Sequence, residues 1–165
     1  MEISSEVKKI VADIHAILLA CSETLSTAES LTGGGLSSAF TDPPGASHVF
    51  MGGITAYRSE IKVKELHVPK ELIESHGVVS SHVAEAMAQG AQKVFGSTWA
   101  ISTTGVAGPG PSDGISAGTV WIAIAGPISH TLELSLDGER EDVRNAAIAS
   151  AISAFARILR DRSAH

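Results

Sequence analysis

Cysteine is all but absent from this chain: Cys21 stands alone among 165 residues. A single thiol can form neither an internal disulfide nor a cysteine-built zinc site, which fits a reducing compartment. Aromatic residues are scarce too, at 4%, so the 44% of hydrophobic residues must build a core mostly from Ala, Val, Ile and Leu. Charged residues reach only 18%. So neutral a surface is either made of small side chains or covered by another subunit, and a homo-oligomer is the expectation. Basic residues are outnumbered, 12 against 18 acidic, leaving a net charge of −6. That balance argues against a broad nucleic-acid surface, which needs Lys and Arg arrayed against phosphates. It leaves room for one small anion held locally. No apolar run approaches the ~20 residues that span a bilayer. The opening Met1-Glu2-Ile3-Ser4-Ser5-Glu6 is polar and acidic, unlike a signal peptide. The expectation is a cytoplasmic protein with no membrane contact, folded as one domain over residues 1–165.

Hydrophobic periodicity supplies the elements. Val7, Ile10, Val11, Ile14, Ile17 and Leu18 recur at helical spacing and predict an amphipathic helix over about 4–21. A short strand, 25–29, runs into Ser30-Leu31-Thr32-Gly33-Gly34-Gly35 and a helix over 34–40, stopped by Asp42-Pro43-Pro44-Gly45. Residues 49–57 read as a buried strand. A short helix at 60–66 ends before Pro69, because a residue preceding proline avoids the α region. Helices at 70–75 and 81–95 follow, the latter with Val83, Met87, Ala91 and Val94 on one side and Ser80 or Ser81 as its cap. Strands are predicted at 99–104, 119–125 and 130–136, with a Gly/Pro-rich loop between the first two, and a closing helix at 140–162. The last two strands are joined too tightly for a parallel crossover. The fold class is therefore α/β, a three-layer α/β/α sandwich with a mixed sheet.

Ligands of open α/β sheets bind beyond the carboxyl ends of the strands. Three loops there carry polar or glycine-rich sequence. In the first, Ser30 precedes a glycine-opened helix, whose free N–H groups would favour an oxyanion or a phosphate. The plainer reading makes Ser30 or Thr32 the helix cap and leaves Gly33 and Gly34 to the turn. The second loop offers Tyr57 and Lys62. A serine needs a base to become a nucleophile, and a lysine can serve when burial lowers its pKa, with tyrosine relaying the proton. The two would converge if Tyr57 ends a strand and Lys62 lies in the first turn of the next helix. The alternative is a half-buried Tyr and a solvated Lys. The third loop, Thr103-Thr104-Gly105-Val106-Ala107-Gly108-Pro109-Gly110-Pro111, can turn N–H groups toward an anion, but it lacks the Walker lysine and is not a P-loop. The seven histidines are scattered and none has metal-ligand spacing, so no metal site is expected.

Together these words resemble the CinA C-terminal domain family, whose enzymatic members are nicotinamide-nucleotide amidases. The resemblance rests on Thr27-Ala28-Glu29-Ser30-Leu31-Thr32-Gly33-Gly34, on Gly52-Gly53-Ile54-Thr55-Ala56-Tyr57 with Lys62 and Leu66, and on His76-Gly77-Val78-Val79-Ser80. It continues through Thr104-Gly105-Val106-Ala107-Gly108-Pro109-Gly110, Gly118-Thr119-Val120-Trp121 and Gly138-Glu139-Arg140, in the family's order. It implies hydrolysis of the carboxamide of nicotinamide mononucleotide to nicotinate mononucleotide and ammonia, without a cofactor. The substrate, a small-molecule nucleotide, is the one partner it implies.

Carried over, the resemblance makes Ser30 the nucleophile, Tyr57 and Lys62 its activators, and Thr104 a group that holds the amide or the oxyanion. Thr32, Gly33, Gly34, Gly105 and Gly108 would line the substrate. An arginine of the closing helix would contact it, Arg140 by the family's motif or Arg144 one turn later. Two departures stand out. Leu31 replaces the family's usual Cys and should face the core. Ser116-Ala117 replace Lys-Pro before Gly118, removing a lysine beside the proposed site. Some members carry an N-terminal pyrophosphatase-like domain, for which this chain has no room, so only the amidase step is expected. Two other readings remain at this stage: a serine amidase for another small amide, and a nucleotide-binding module that has lost catalysis.

Overall fold

A computed structural model describes residues 3–165. Helix α1, Ser5–Ala20, starts at Ser4, whose side chain accepts from the Val7 N–H at 3.2 Å, and buries Val11, Ile14 and Leu18. Strand β1 (Leu25–Glu29) leads through a glycine turn into α2 (Gly35–Thr41), followed by a single 3₁₀ turn at Ala46–His48. Strand β2 (Phe50–Thr55) precedes three helices: α3 (Ser59–Leu66), α4 (Lys70–His76) and α5 (Ser81–Phe95). Strands β3 (Trp99–Gly105), β4 (Thr119–Ala125) and β5 (His130–Ser135) lead to α6 (Arg140–Ser163). The sheet order is β2-β1-β3-β4-β5. β1 is parallel to β2 and β3, while β4 and β5 run antiparallel, so the sheet is mixed.

The larger part of the core lies where α1, α2 and α6 cover one face, with Phe40, Trp99 and Phe155 among its buried rings. On the other face α3, α4 and α5 pack through Leu66, Val68, Val83, Met87 and Ala91. The chain is thus a single-domain α/β sandwich with helices on both faces of a five-stranded sheet. Among the described residues no helix is long and apolar enough to cross a membrane.

Two sequence expectations shift. Strand β2 lies at the sheet edge and alternates half-buried with exposed residues rather than being buried throughout. An edge strand has one neighbour, and only part of its face meets helices. In α5, Val83, Met87 and Ala91 face the core, but Val94 is 45% exposed. Its buried face is completed by Gly90, where any Cβ would collide with the main-chain carbonyl of Leu66. That glycine lets α3 approach α5, and α3 carries Lys62. Ser80, not Ser81, caps α5, accepting from the Val83 N–H.

Candidate active site

Because β1, β2 and β3 are parallel, their carboxyl ends meet at one edge of the sheet. Side chains alternate along a strand. On β1 this places Leu25 in the core with α1 and α2, and Ala28 in the core with α3 and α5. The alternation continues past the strand: Glu29 turns toward α2 and Ser30 toward α3. Thr104, at the end of β3, lies on the same side as Ser30.

Lys62 comes from α3 and reaches Ser30. Its Nζ lies 2.9 Å from Ser30 Oγ, 2.7 Å from the Ala56 carbonyl and 3.1 Å from the Tyr57 carbonyl. Lys62 is 1% exposed and Ser30 8%. Burial disfavours the ammonium and pulls the Lys62 pKa down to about 8. The two carbonyls can accept only, so they fix the nitrogen. Its third tetrahedral direction is left for Ser30, to donate to it as an ammonium or to accept its proton as an amine.

Tyr57 contributes its backbone to this cluster, not its phenol. The side chain is 57% exposed, and its Oη accepts from Arg140 Nη2 at 3.0 Å. Arg140 Nη1 also donates to the Gly108 carbonyl at 2.6 Å. Thr104 Oγ1 donates to the Val78 carbonyl at 2.9 Å. Arg144 Nε donates to the Leu31 carbonyl at 2.9 Å. Leu31 itself is 4% exposed and belongs to the core, as its place after the serine led one to expect.

The tip of α2 is arranged otherwise than its sequence suggests. Gly33 and Gly34 both have positive φ, +58° and +96°, and Gly34 occupies the N-cap position without a side-chain bond. Neither Ser30 nor Thr32 is the cap. The first free N–H groups of the helix are taken by Glu29, a fully buried residue that the sequence reading left without a role. Its Oε1 accepts from the Leu36 N–H and from Thr32 Oγ1, each at 2.7 Å. Its Oε2 accepts from the Ser37 N–H at 3.0 Å and from Ser37 Oγ at 2.7 Å. Thr32 is fully buried, and its hydroxyl also lies 2.8 Å from Thr103 Oγ1. The N–H of Gly33 donates to the Ser30 carbonyl at 3.0 Å. The turn is therefore braced internally at Gly33, Leu36 and Ser37, while the N–H of Gly34 has no hydrogen-bond partner among the described residues. The clue was available: an acidic residue ending a strand directly before a glycine-opened helix complements the helix dipole.

Ser30, Tyr57, Lys62, Thr104, Gly105, Gly108 and Arg140 all line one open cleft of about 630 Å³. His76 and Arg58, which the sequence reading did not single out for the site, line it as well. His76 stacks on His82 with ring centroids 3.7 Å apart. Thr32, Gly33, Gly34 and Arg144 border a separate cavity of about 640 Å³, to which Arg140 also contributes. Arg140 and Arg144 share a helix face yet belong to different spaces, with Arg140 on the boundary.

The arrangement matches known proteins. A family model described as the CinA C-terminal domain matches residues 7–159. A CinA-like protein of Frankia casuarinae is 43% identical over 147 residues, covering 88% of this chain and 34% of that protein. One from Prochlorococcus marinus is 43% identical over 145 residues, covering 86% and 34%. The chain thus spans about a third of the length of these relatives. Among solved structures, a competence-damaged protein (CinA) superfamily protein of Escherichia coli superposes with a TM-score of 0.90 at 29% identity, over 96% of this chain and 94% of that one. The competence/damage-inducible protein CihA of Agrobacterium tumefaciens gives 0.90 at 28%, over 97% and 99%. The chain belongs to the CinA C-terminal domain family.

Proposed function

We propose that this chain is an amidohydrolase that converts nicotinamide mononucleotide to nicotinate mononucleotide and ammonia, with Ser30 as nucleophile and Lys62 as its base. The observation that carries the reading is the 2.9 Å approach of a buried lysine amine to a serine hydroxyl at the mouth of a cleft. With a pKa of about 8, Lys62 is neutral in about a tenth of molecules at pH 7. An ordinary exposed lysine would be neutral in fewer than about one in a thousand.

In the proposed reaction Ser30 Oγ attacks the carboxamide carbon while its proton passes to Lys62 Nζ. The carbonyl oxygen becomes an oxyanion. The N–H of Leu31, the residue after the nucleophile, has no hydrogen-bond partner among the described residues and is the donor assigned to that charge. The intermediate then collapses, the C–N bond breaks, and Lys62 returns its proton to the leaving nitrogen, which departs as ammonia. Water adds to the acyl ester, giving its proton to Lys62. Cleavage of the ester frees nicotinate mononucleotide, and the proton returns to Ser30 Oγ. Arg140 and the Gly105–Gly108 segment line the side of the cleft where the rest of the substrate would lie. Tyr57 has its phenol on Arg140, so the proton relay needs only Lys62.

Ser30→Ala should lower ammonia release from nicotinamide mononucleotide by roughly 10³-fold or more while leaving the fold intact. Mass spectrometry for nicotinate mononucleotide, set beside a panel of other small amides, reads both activity and substrate. Near-normal turnover by Ser30→Ala would remove the serine mechanism, and equal turnover of uncharged amides would remove the nucleotide.

A further inference from the structure

The oxyanion donor belongs to Leu31, and the other groups of Leu31 are already engaged. Its side chain lies in the core, and its carbonyl accepts from Arg144 Nε at 2.9 Å. Leu31 nonetheless lines the cleft, and the one polar group it has left to present there is its N–H. The Ser30 carbonyl belongs to the same peptide unit and accepts from the Gly33 N–H at 3.0 Å. Carbonyl and N–H point opposite ways across a trans peptide, so a carbonyl held inside the turn aims the Leu31 N–H out of it.

The end of β3 holds this turn in place. Ser30 donates its N–H to the Thr103 carbonyl at 3.0 Å, and the Thr103 hydroxyl lies 3.4 Å from the same nitrogen. Beyond Leu31, Thr32 Oγ1 lies 2.8 Å from Thr103 Oγ1. Both neighbours of Leu31 are thus tied to one residue of another strand. The hydroxyl pair also has a fixed direction. Thr32 spends its single proton on Glu29 Oε1 at 2.7 Å, so it accepts from Thr103, whose lone pairs are left for the Ser30 N–H. Glu29, Thr32 and Thr103 are all fully buried. Thr103 pairs with Glu29 in the sheet and shares the face turned to α2, whereas Thr104 is the residue that lines the cleft.

We infer that Thr103 is a positioning residue for acyl transfer at Ser30: its hydroxyl, oriented from Glu29 through Thr32, holds the Ser30–Leu31–Thr32 turn so that the Leu31 N–H meets the oxyanion. An anchor at Ser30 alone leaves the turn a point to pivot on. The second anchor, at Thr32, removes the pivot. Thr103 touches neither ligand nor reacting atoms, and Lys62 approaches from α3 on the opposite face of the sheet. Losing the anchor therefore slows bond making without changing what the cleft binds or how its base titrates. The inference rests on Ser30 as the nucleophile and not on the identity of the amide.

Thr103→Val replaces the hydroxyl by a methyl of similar size and keeps the β-branch that suits a strand. Acetylation of Ser30 by p-nitrophenyl acetate reads the nucleophile without a nucleotide. It is followed as p-nitrophenol release and assigned to Ser30 by its loss in Ser30→Ala. Thr103→Val should slow acetylation roughly 10-fold and lower kcat on nicotinamide mononucleotide similarly, with KM within about twofold of the parent chain. The inflection of the pH profile should stay near 8, because Lys62 is untouched. Thr103→Ser keeps the hydroxyl and should recover to within about threefold of the parent rate. If Thr103→Val does not fold, Thr103→Ala, which only removes atoms, takes its place. The inference is overturned if the hydroxyl-free variant acetylates at the parent rate, if KM rises while kcat holds, if the inflection moves, or if Thr103→Ser is as slow as Thr103→Val. A parent chain that acetylates Ser30 yet releases no ammonia would end the nucleotide reading and leave this inference standing. One that never acetylates Ser30 would end both.

Discussion

Lys62 spends two of its three bonding directions on carbonyls that nothing can protonate, and the third on Ser30. Its pKa of about 8 follows from burial alone, without a neighbouring charge. If its neutral form is the base, log kcat/KM must rise with a slope near one up to about pH 8 and level off above, because the free enzyme's base limits the rate below that point. A profile flat from pH 6 to 9 would acquit Lys62. That Ser30 and Lys62 meet is what the family resemblance implied; the residues alone left open a solvated lysine, because the meeting depends on both following strands that end at the same sheet edge. The directions of other side chains were not legible. Tyr57 was expected to turn its phenol to the serine, yet it is the carbonyl that sits there, 3.4 Å from Ser30 Oγ. Thr32 was expected to face a ligand and is instead spent on Glu29 and Thr103. Residue type and spacing fix which groups are near, whereas a rotatable hydroxyl goes to whichever partner the finished packing offers.

Among the elements, α2 shows how a local signal can be right about position and only partly informative about use. A short helix opened by glycines was legible from Gly33-Gly34-Gly35. That the N–H groups of Leu36 and Ser37 would be filled from inside the protein was not, because the partner lies at the end of the preceding strand and its direction depends on the strand's pleat. The consequence is measurable. Replacing the carboxyl of Glu29 by a carboxamide turns an NH₂ toward one of the two pairs that Oε1 and Oε2 now serve; the hydroxyl of that pair can rotate to accept from it, but the backbone N–H, of Leu36 or Ser37, is left buried without its acceptor. Each unsatisfied donor costs about 1–3 kcal/mol. For a domain of this size Glu29→Gln should therefore lower Tm by roughly 4 to 10 °C, as read by thermal unfolding. A variant within a degree of the parent would show that the carboxyl does not brace the turn. The remaining elements were legible to within a few residues, and β2 departed in burial only. Its hydrophobic run, Val49-Phe50-Met51 with Ile54, carries no mark that it lies at an edge, since edge and centre are decided by strand order.

For the whole molecule, the cost of the site is a charge folded into the interior. Lys62 titrates near 8 in the folded chain and near 10.5 when unfolded. Below pH 8 both states are protonated, and the buried ammonium costs the fold about 3 kcal/mol. Between pH 8 and 10.5 the folded chain has released the proton while the unfolded chain still holds it, so stability rises with pH through that window. Above it the cost is gone. Lys62→Met removes this dependence altogether. It also strands the carbonyls of Ala56 and Tyr57, which offsets some or all of its gain at neutral pH, but that offset does not vary with pH. The difference in unfolding free energy between the two proteins should therefore be constant below pH 8 and shift by about 3 kcal/mol in favour of the parent chain by pH 10.5. Denaturant unfolding at a series of pH values measures it directly. A difference that stays level across the window would mean that the amine is already solvated in the folded chain, and a solvated amine would be too basic to serve Ser30.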